Sequence, residues 1–597
     1  MFIYKIKSTE KVVALFVFIA LVSLPAIEVI TRIFGTTGVV ASPVLVQHLT
    51  LWIGFLGAVV AARRNRLLSL TTKPLFDPEN SINWKKLLGK ITTIIIVLAL
   101  AYGSWDLVQI EMEYPINIAP YLPRWGAQIV MPFGFFLIAV HMLINSYSSW
   151  KNRLILLTGV IFVFLLTWYI EPLQESSIFM WVVIIAILFS LYKGAPIFIG
   201  LGGLAVLFFW RSWIPLSAIP AETYRIVVSP TLPTIPLFTL AGYILAESKA
   251  SSRLVKLFRS SFGWIPGGTP VVLVLLCGFF TALTGGSGVT ILALGGLLMP
   301  LLIKEGYSKL FSLGLITVAG SLGLLFPPSL PMIIYGVTAG VSVKALFIAG
   351  ILPGFIRVAM IGGWAIWQGK VQSIKRRKLN YIEIKKSFLE AKWEAVIPFF
   401  ILFGIFGGFT TLVETAAMTV VYVFLIEVFV HKDLDLSNMK TILLDCATLI
   451  GGVLIILGVA MGLTSYLVDA QVPLHLLEWV KSAISSKLVF LLILNLFLLA
   501  VGCMMDIFSA IIIVVPLITP LGIYFGIDPV HLAIIFIANL ELGFLTPPVG
   551  MNLFLSAYRF NEDMPTIYKS TLPFFIVMLL SVMAITYIPI LSTWYGN

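Results

Sequence analysis

Gly323-Leu324-Leu325-Phe326-Pro327-Pro328 returns 220 residues later as Gly543-Phe544-Leu545-Thr546-Pro547-Pro548. Each is a GxxxPP set in apolar sequence, where a membrane helix is expected to break. At the same offset Pro300-Leu301 meets Pro520-Leu521, and Gly285-Gly286-Ser287-Gly288 falls within a residue or two of Met504-Met505-Asp506. Chance explains one shared motif easily and a common offset for several breaks poorly. Paired, interrupted hydrophobic segments in two halves of a membrane protein point to the binding site of a secondary carrier. The expectation is two copies, residues 176–370 and 395–597. An odd number of crossings in the first copy makes the repeat an inverted one.

The composition sets the solvent. Of 597 residues, 59% are hydrophobic and 11% charged, with a mean hydropathy of +1.05, outside the soluble globular range. Ahead of the repeat, residues 1–150 read as a four-helix membrane domain with spans near 12–34, 46–62, 88–108 and 126–147. A connecting transmembrane helix follows in 151–175. The first span has basic residues before it but no small-x-small cleavage site, so it is expected to be retained. Segment 371–394, with Leu379, Ile382, Ile384 and Leu389 among lysines, reads as an amphipathic cytoplasmic linker.

Charge assigns orientation. Arg63-Arg64-Asn65-Arg66, Lys151 with Arg153, and Lys375-Arg376-Arg377-Lys378 mark cytoplasmic loops, which puts the N-terminus inside. The same loops account for the net charge of +12, so a lipid bilayer and not nucleic acid is the expected partner. Cys277, Cys446 and Cys503 all lie in apolar sequence and form neither a disulfide framework nor a metal spacing. No Walker-type loop, GxSxG or His–Asp set around the GGSG offers enzyme chemistry, so the chain reads as a transporter and not an enzyme. No organic cofactor is expected.

The breaks carry the chemistry. Pro270 to Leu302 is an almost uncharged run interrupted at Thr284-Gly285-Gly286-Ser287-Gly288. Arms of about 14 residues reach only about 21 Å, short of the bilayer core of about 30 Å. A re-entrant helical hairpin over 270–302 follows, and a second over 488–521 with its tip near Gly502, Met505 and Asp506. Non-helical backbone at that depth survives only where protein or a wet cavity satisfies it. A broken helix offers carbonyls for a cation and amides for an anion. Thr284, Ser287, Ser329 and Thr546 add hydroxyl oxygens suited to a hard cation. Asp506 either supplies charge to a cation site or caps the second arm. Glu414 and Glu541 lie near breaks, where a structural hydrogen bond and ion binding are equally open readings. Glu247 and Asp445 sit near span ends.

At this point the residues resemble a known family. Thr284-Gly285-Gly286-Ser287-Gly288, Gly323 to Ser329, Phe347-Ile348-Ala349-Gly350-Ile351-Leu352-Pro353-Gly354, Glu414-Thr415-Ala416-Ala417 and Leu545-Thr546-Pro547-Pro548-Val549-Gly550 resemble the large membrane subunit of tripartite ATP-independent periplasmic (TRAP) transporters. Trp52 to Ala58 followed by Ala61-Ala62-Arg63-Arg64 is similar to the small subunit, so the whole resembles a natural fusion of the two. The resemblance implies an all-α, elevator-type importer in the bacterial inner membrane. It implies coupling to two or more Na+ ions and a periplasmic substrate-binding protein that delivers a small organic anion of carboxylate type. One Na+ site would use Thr284, Ser287, Gly323, Phe326 and Pro327. The other would use Gly502, Met505, Asp506, Gly543, Thr546 and Pro547. Substrate would meet Gly285, Gly286, Ser287, Ser329 and Asn552. The first tip departs from the family's Ser- and Ala-rich pattern at Gly286 and Val289, which puts its ion geometry or the substrate pocket in question. The other classes considered are a channel, a stand-alone dicarboxylate carrier and a membrane enzyme.

Overall fold

The computed structural model describes residues 2–35, 38–39, 41–69, 75–119, 122–169, 172–265, 268–372, 379–547 and 550–595. The chain is an all-α membrane protein, with one short strand pair, Asn117–Ala119 with Leu122–Pro123. Among the described residues ten helices are long and apolar enough to cross a membrane. Pro548, Val549 and Lys375 to Lys378, which figure in the sequence reading, lie outside the described residues, as does the side chain of Val289.

The chain folds into two compact units. One comprises Met1–Pro236 with Leu443–Leu474, the other Leu237–Ile442 with His475–Asn597. In the first unit, helices Phe2–Ile33, Ser42–Arg63, Trp84–Glu113 and Val130–Ser146 pack together, and the upper part of helix Leu436–Asp469 joins them. The joint is glycine on glycine. A Cβ on Gly57 would lie 3.1 Å from the Gly451 Cα, and one on Gly451 would lie 2.7 Å from the Gly57 Cα. Small residues let backbones approach this closely where lipid offers no hydrophobic drive between helices. Buried charge in this unit is paired. Glu10 accepts from Arg63 at 3.1 Å and meets His141 at 2.9 Å, while Arg64 pairs with Asp445. His48 shares a 2.7 Å hydrogen bond with the Tyr224 hydroxyl.

The second unit holds the hairpin-bearing stretch of each copy. In the first copy that stretch runs Ala250–Phe262, paired arms Gly268–Thr284 and Ser287–Lys304, a split helix Lys309–Ala319 and Leu330–Ala339, then Val343–Val371. The second copy answers with Val472–Ala483, Lys487–Met504 and Ile507–Tyr524, Pro529–Gly543 and Met551–Phe560, then Met564–Tyr587. Even the caps keep the offset. Ser308 accepts from the Phe311 amide to start one split helix, and Asp528 accepts from Val530 and His531 to start the other.

The arms are longer than the sequence suggests, 17 and 18 residues in hairpin 1 and 18 each in hairpin 2. Pro300, Pro516 and Pro520 lie inside helices instead of ending them, because packed neighbours can satisfy the freed carbonyls. The arms reach about 25–27 Å, just under the core thickness. They fold back on themselves. Thr281 and Thr290, nine residues apart across the first tip, share a 2.7 Å hydroxyl contact. Phe490 stacks on Phe525 with ring centroids 4.3 Å apart at the base of hairpin 2, and Lys487 Nζ donates to the Gly526 carbonyl at 2.9 Å.

Helix Tyr381–Phe406 runs through residue 394 without a break. Ser387, Ala391, Glu394, Ile397, Ile401 and Ile405 form its buried stripe at three- and four-residue spacing. Residues 381–394 of the charged linker and the first span of the second copy are therefore one element.

Candidate transport site

Each hairpin tip is seated on the break of its own copy. Gly285 has φ +69° and lies so close to Leu330 that an added Cβ would sit 2.9 Å from the Leu330 Cδ2. Gly323 is pressed into the first arm, where a Cβ would stand 2.6 Å from the Ala282 amide nitrogen. The Thr281 hydroxyl also donates to the Gly320 carbonyl at 2.7 Å. In the second copy the Gly543 position would place a Cβ 2.6 Å from the Gly502 Cα, and the Gly550 amide donates to the Cys503 carbonyl at 2.9 Å. Gly285 abuts the Leu330 side chain, whereas Gly323 and Gly543 bring backbone against backbone.

At the first tip the chemistry is unfinished. Thr284, Ser287 and Ser329 are at most 1% exposed, and among the described residues none of their hydroxyl oxygens has a hydrogen-bond partner. Asn552, wholly buried, donates from Nδ2 to the Thr317 carbonyl at 3.1 Å, while its Oδ1 is unpartnered. Buried polar atoms are almost always paired, so these oxygens are acceptors left free at and around a tip. Among the described residues no N–H donates to the Pro327 carbonyl, which adds a backbone oxygen to the first break. Phe326 gives its carbonyl to the Ser329 amide at 3.0 Å, and its ring packs on Phe355.

The second tip is chemically different. Asp506 caps helix Ile507–Tyr524, its Oδ2 accepting from the Phe508 and Ser509 amides at 3.0 and 3.1 Å and its Oδ1 from the Ser509 hydroxyl at 2.6 Å. A carboxylate offers about four lone-pair positions, so little of Asp506 is left for a ligand. Met505 donates its amide to Val501. The Thr546 hydroxyl donates to the Leu542 carbonyl at 3.0 Å, so that oxygen keeps only acceptor capacity. Gly288 packs on Leu555 of helix Met551–Phe560, which draws hairpin 1 toward the second break.

The remaining charged candidates have structural partners. Glu414 forms a capping box with Thr411. Glu541 is wholly buried against Arg357, which also donates to the Ala538 carbonyl at 2.8 Å and the Ser581 hydroxyl at 3.2 Å. The sequence reading singled out Glu541 and missed Arg357. Its signal was a lone arginine between Gly354 and Gly362 in an otherwise apolar run. Also unforeseen is the knot of Asn495, Asn539 and Thr586. Asn495 Oδ1 accepts from Asn539 at 2.5 Å and from Thr586 at 3.1 Å, tying the first arm of hairpin 2 to two neighbouring helices.

Two fold-back hairpins, each seated on a broken helix, with unpaired buried oxygens at a tip, define a secondary membrane transporter. Residues 177–591 match the family described as the tripartite ATP-independent periplasmic transporter, DctM component, and residues 21–153 match the DctQ component. The chain belongs to the TRAP transporter family, with both membrane components fused in one polypeptide. An isethionate TRAP transporter permease protein, DctMQ, of Oleidesulfovibrio alaskensis is 29% identical over 94% of this chain and 89% of its own length. A C4-dicarboxylate TRAP transporter large permease protein of Vibrio cholerae is 33% identical over 67% of this chain and 94% of its own. An ectoine/5-hydroxyectoine TRAP transporter large permease protein of Ruegeria pomeroyi is 28% identical, covering 60% and 84%. The chain is thus a multi-pass inner-membrane permease of a small-solute transporter that works with a periplasmic substrate-binding protein, and it is not an enzyme.

Proposed function

We propose that the chain is a Na+-coupled importer of a small organic anion of carboxylate type, working by elevator-like alternating access. The observation that carries the reading is the set of unpaired buried oxygens, Thr284 Oγ1, Ser287 Oγ, Ser329 Oγ and Asn552 Oδ1. Neutral oxygens of this kind replace the water shell of a monovalent hard cation without the charge that a divalent ion would need. One ion sits between the Ser287 tip and the Gly323–Ser329 break. A second sits among backbone oxygens between the Met505–Asp506 tip and the Gly543–Pro547 break, with the Asp506 charge acting at a distance.

The anion takes the amides at the start of helix Ser287–Lys304, whose N-cap Gly286 carries no side-chain cap. Ser329 and Asn552 complete its surroundings. The arms move as units because their glycines and threonines lock them to the breaks. The N-terminus lies in the cytoplasm, on the side of Arg63, Arg64 and Arg66. Relatives are named for isethionate, a C4-dicarboxylate and ectoine, so the cargo has to be found by trial.

The test is uptake into proteoliposomes with an imposed Na+ gradient, with and without a candidate binding protein, over a panel of dicarboxylates and isethionate. Uptake that requires both the gradient and the binding protein supports the reading. Uptake indifferent to both overturns it.

A further inference from the structure

The second unit also contains a charge cluster unrelated to the hairpin tips. Helix Ala250–Phe262, which leads into hairpin 1, lies along helix Tyr381–Phe406. From it Arg253 sends three nitrogens to three different carboxylates. Nη2 donates to Glu427 Oε2 at 2.8 Å, Nη1 to Asp433 Oδ2 at 2.5 Å, and Nε to Glu394. Glu394 and Glu427 are both 0% exposed, and their second oxygens, Glu394 Oε2 and Glu427 Oε1, have no hydrogen-bond partner among the described residues. His431 Nε2 stands 3.4 Å from Glu394 Oε1 and makes no hydrogen bond there.

The surrounding charges do not balance this. Lys249 gives its amide to Asp433 at 3.1 Å, but its ammonium is largely solvated and 4.0 Å from that carboxylate. Lys256 is engaged with Glu390 at 3.8 Å and Arg259 with Glu305. Lys392 lies over the Trp393 ring, Lys432 is exposed, and the Tyr422 hydroxyl donates to the Trp393 carbonyl. Helix Gly268–Thr284, packed on the other side, carries no charged residue; its one titratable group is Cys277. Three carboxylates therefore face one guanidinium, itself mostly shielded from solvent. Two fully buried, unpaired carboxylate oxygens are costly while both groups stay ionised. One proton would remove a charge and supply the missing donor.

We infer that the Arg253–Glu394–Glu427–Asp433 cluster, with His431 at its edge, binds one proton, and that this proton holds helix Ala250–Phe262 in its docked position. The sign follows from linkage. In the docked state the proton supplies a donor to buried oxygens that have none, a need that solvent meets once the helix undocks, so docking is favoured at low pH and weakens as pH rises. The site is independent of the Na+ and substrate readings.

Hydrogen–deuterium exchange of the full chain in lipid nanodiscs tests it, following peptides over residues 250–262 between acidic and alkaline pH with the intrinsic exchange rate divided out. Exchange from the wild type should rise with pH by up to about tenfold per unit, the limit for one proton. Glu394→Gln or Glu427→Gln, each a neutral isostere that brings its own donor, should flatten that slope. Arg253→Gln should leave the helix exchanging fast at every pH. A wild-type profile flat in pH overturns the inference. So does an unchanged slope in both glutamine variants, or protection that follows Na+ or K+ concentration at fixed pH.

Discussion

Ser287→Ala separates a ligand-binding hydroxyl from a structural one. The Ser287 hydroxyl is 1% exposed and has no partner, so in the ion-free protein it contributes a desolvation penalty of about 1–3 kcal/mol with nothing to offset it. Removing it should leave the ion-free protein as stable as the wild type or more so, because alanine is well tolerated in a first helical turn. As the Na+ ligand proposed above, the same hydroxyl would contact a full charge, an interaction of about 1.5–3 kcal/mol. Its loss should weaken Na+ binding about 10- to 100-fold. At a Na+ concentration about 100 times the wild-type Kd, the ion stabilises the wild type by about 2.7 kcal/mol. In the variant that stabilisation falls to between about 1.4 and about 0.4 kcal/mol. Thermal unfolding of purified protein in NaCl and in choline chloride at equal ionic strength reads both quantities. A variant that is less stable without Na+, yet gains the full Na+ increment, would refute the reasoning.

Further substitutions probe the supporting structure. Gly543→Ala forces a Cβ to within 2.6 Å of the Gly502 backbone; overpacking of about 1–3 kcal/mol should abolish uptake, while Gly363→Ala, with nothing within 4 Å of its Cβ, should leave uptake intact. Arg357→Gln strands the buried Glu541 carboxylate and should cost about 3–5 kcal/mol, seen as lost expression or a lowered unfolding temperature. Adding Glu541→Gln to that variant should recover much of the loss. Asp506→Asn keeps the N-cap, since Asn and Asp cap equally well. It should leave hairpin 2 folded and raise the half-saturating Na+ concentration less than Ser287→Ala does, measured in the same uptake assay.

Much of the architecture was legible in the sequence because membrane helices have only a few ways to end. A GxxxPP in apolar sequence has no soluble reading, and its return at an offset of 220 residues announced the split helices that the fold contains. Hairpin ends were less legible. Pro300 and Pro520 were matched as break points, whereas both sit inside helical arms, where packed neighbours supply the missing satisfaction. Asp506 shows the same limit. Its charge was plain in the sequence, but only the folded tip shows both its oxygens occupied by the cap.

By itself, then, the sequence determined the solvent, the repeat and the four points where the helices break, because hydrophobicity and backbone hydrogen bonding are local properties. Tertiary structure decided which oxygens remain unpaired at those points. It also placed Arg357 on Glu541 and gathered Glu394, Glu427 and Asp433 around Arg253. Those partners are 184, 141, 174 and 180 residues apart. Whether a buried polar atom is satisfied depends on neighbours that only packing supplies.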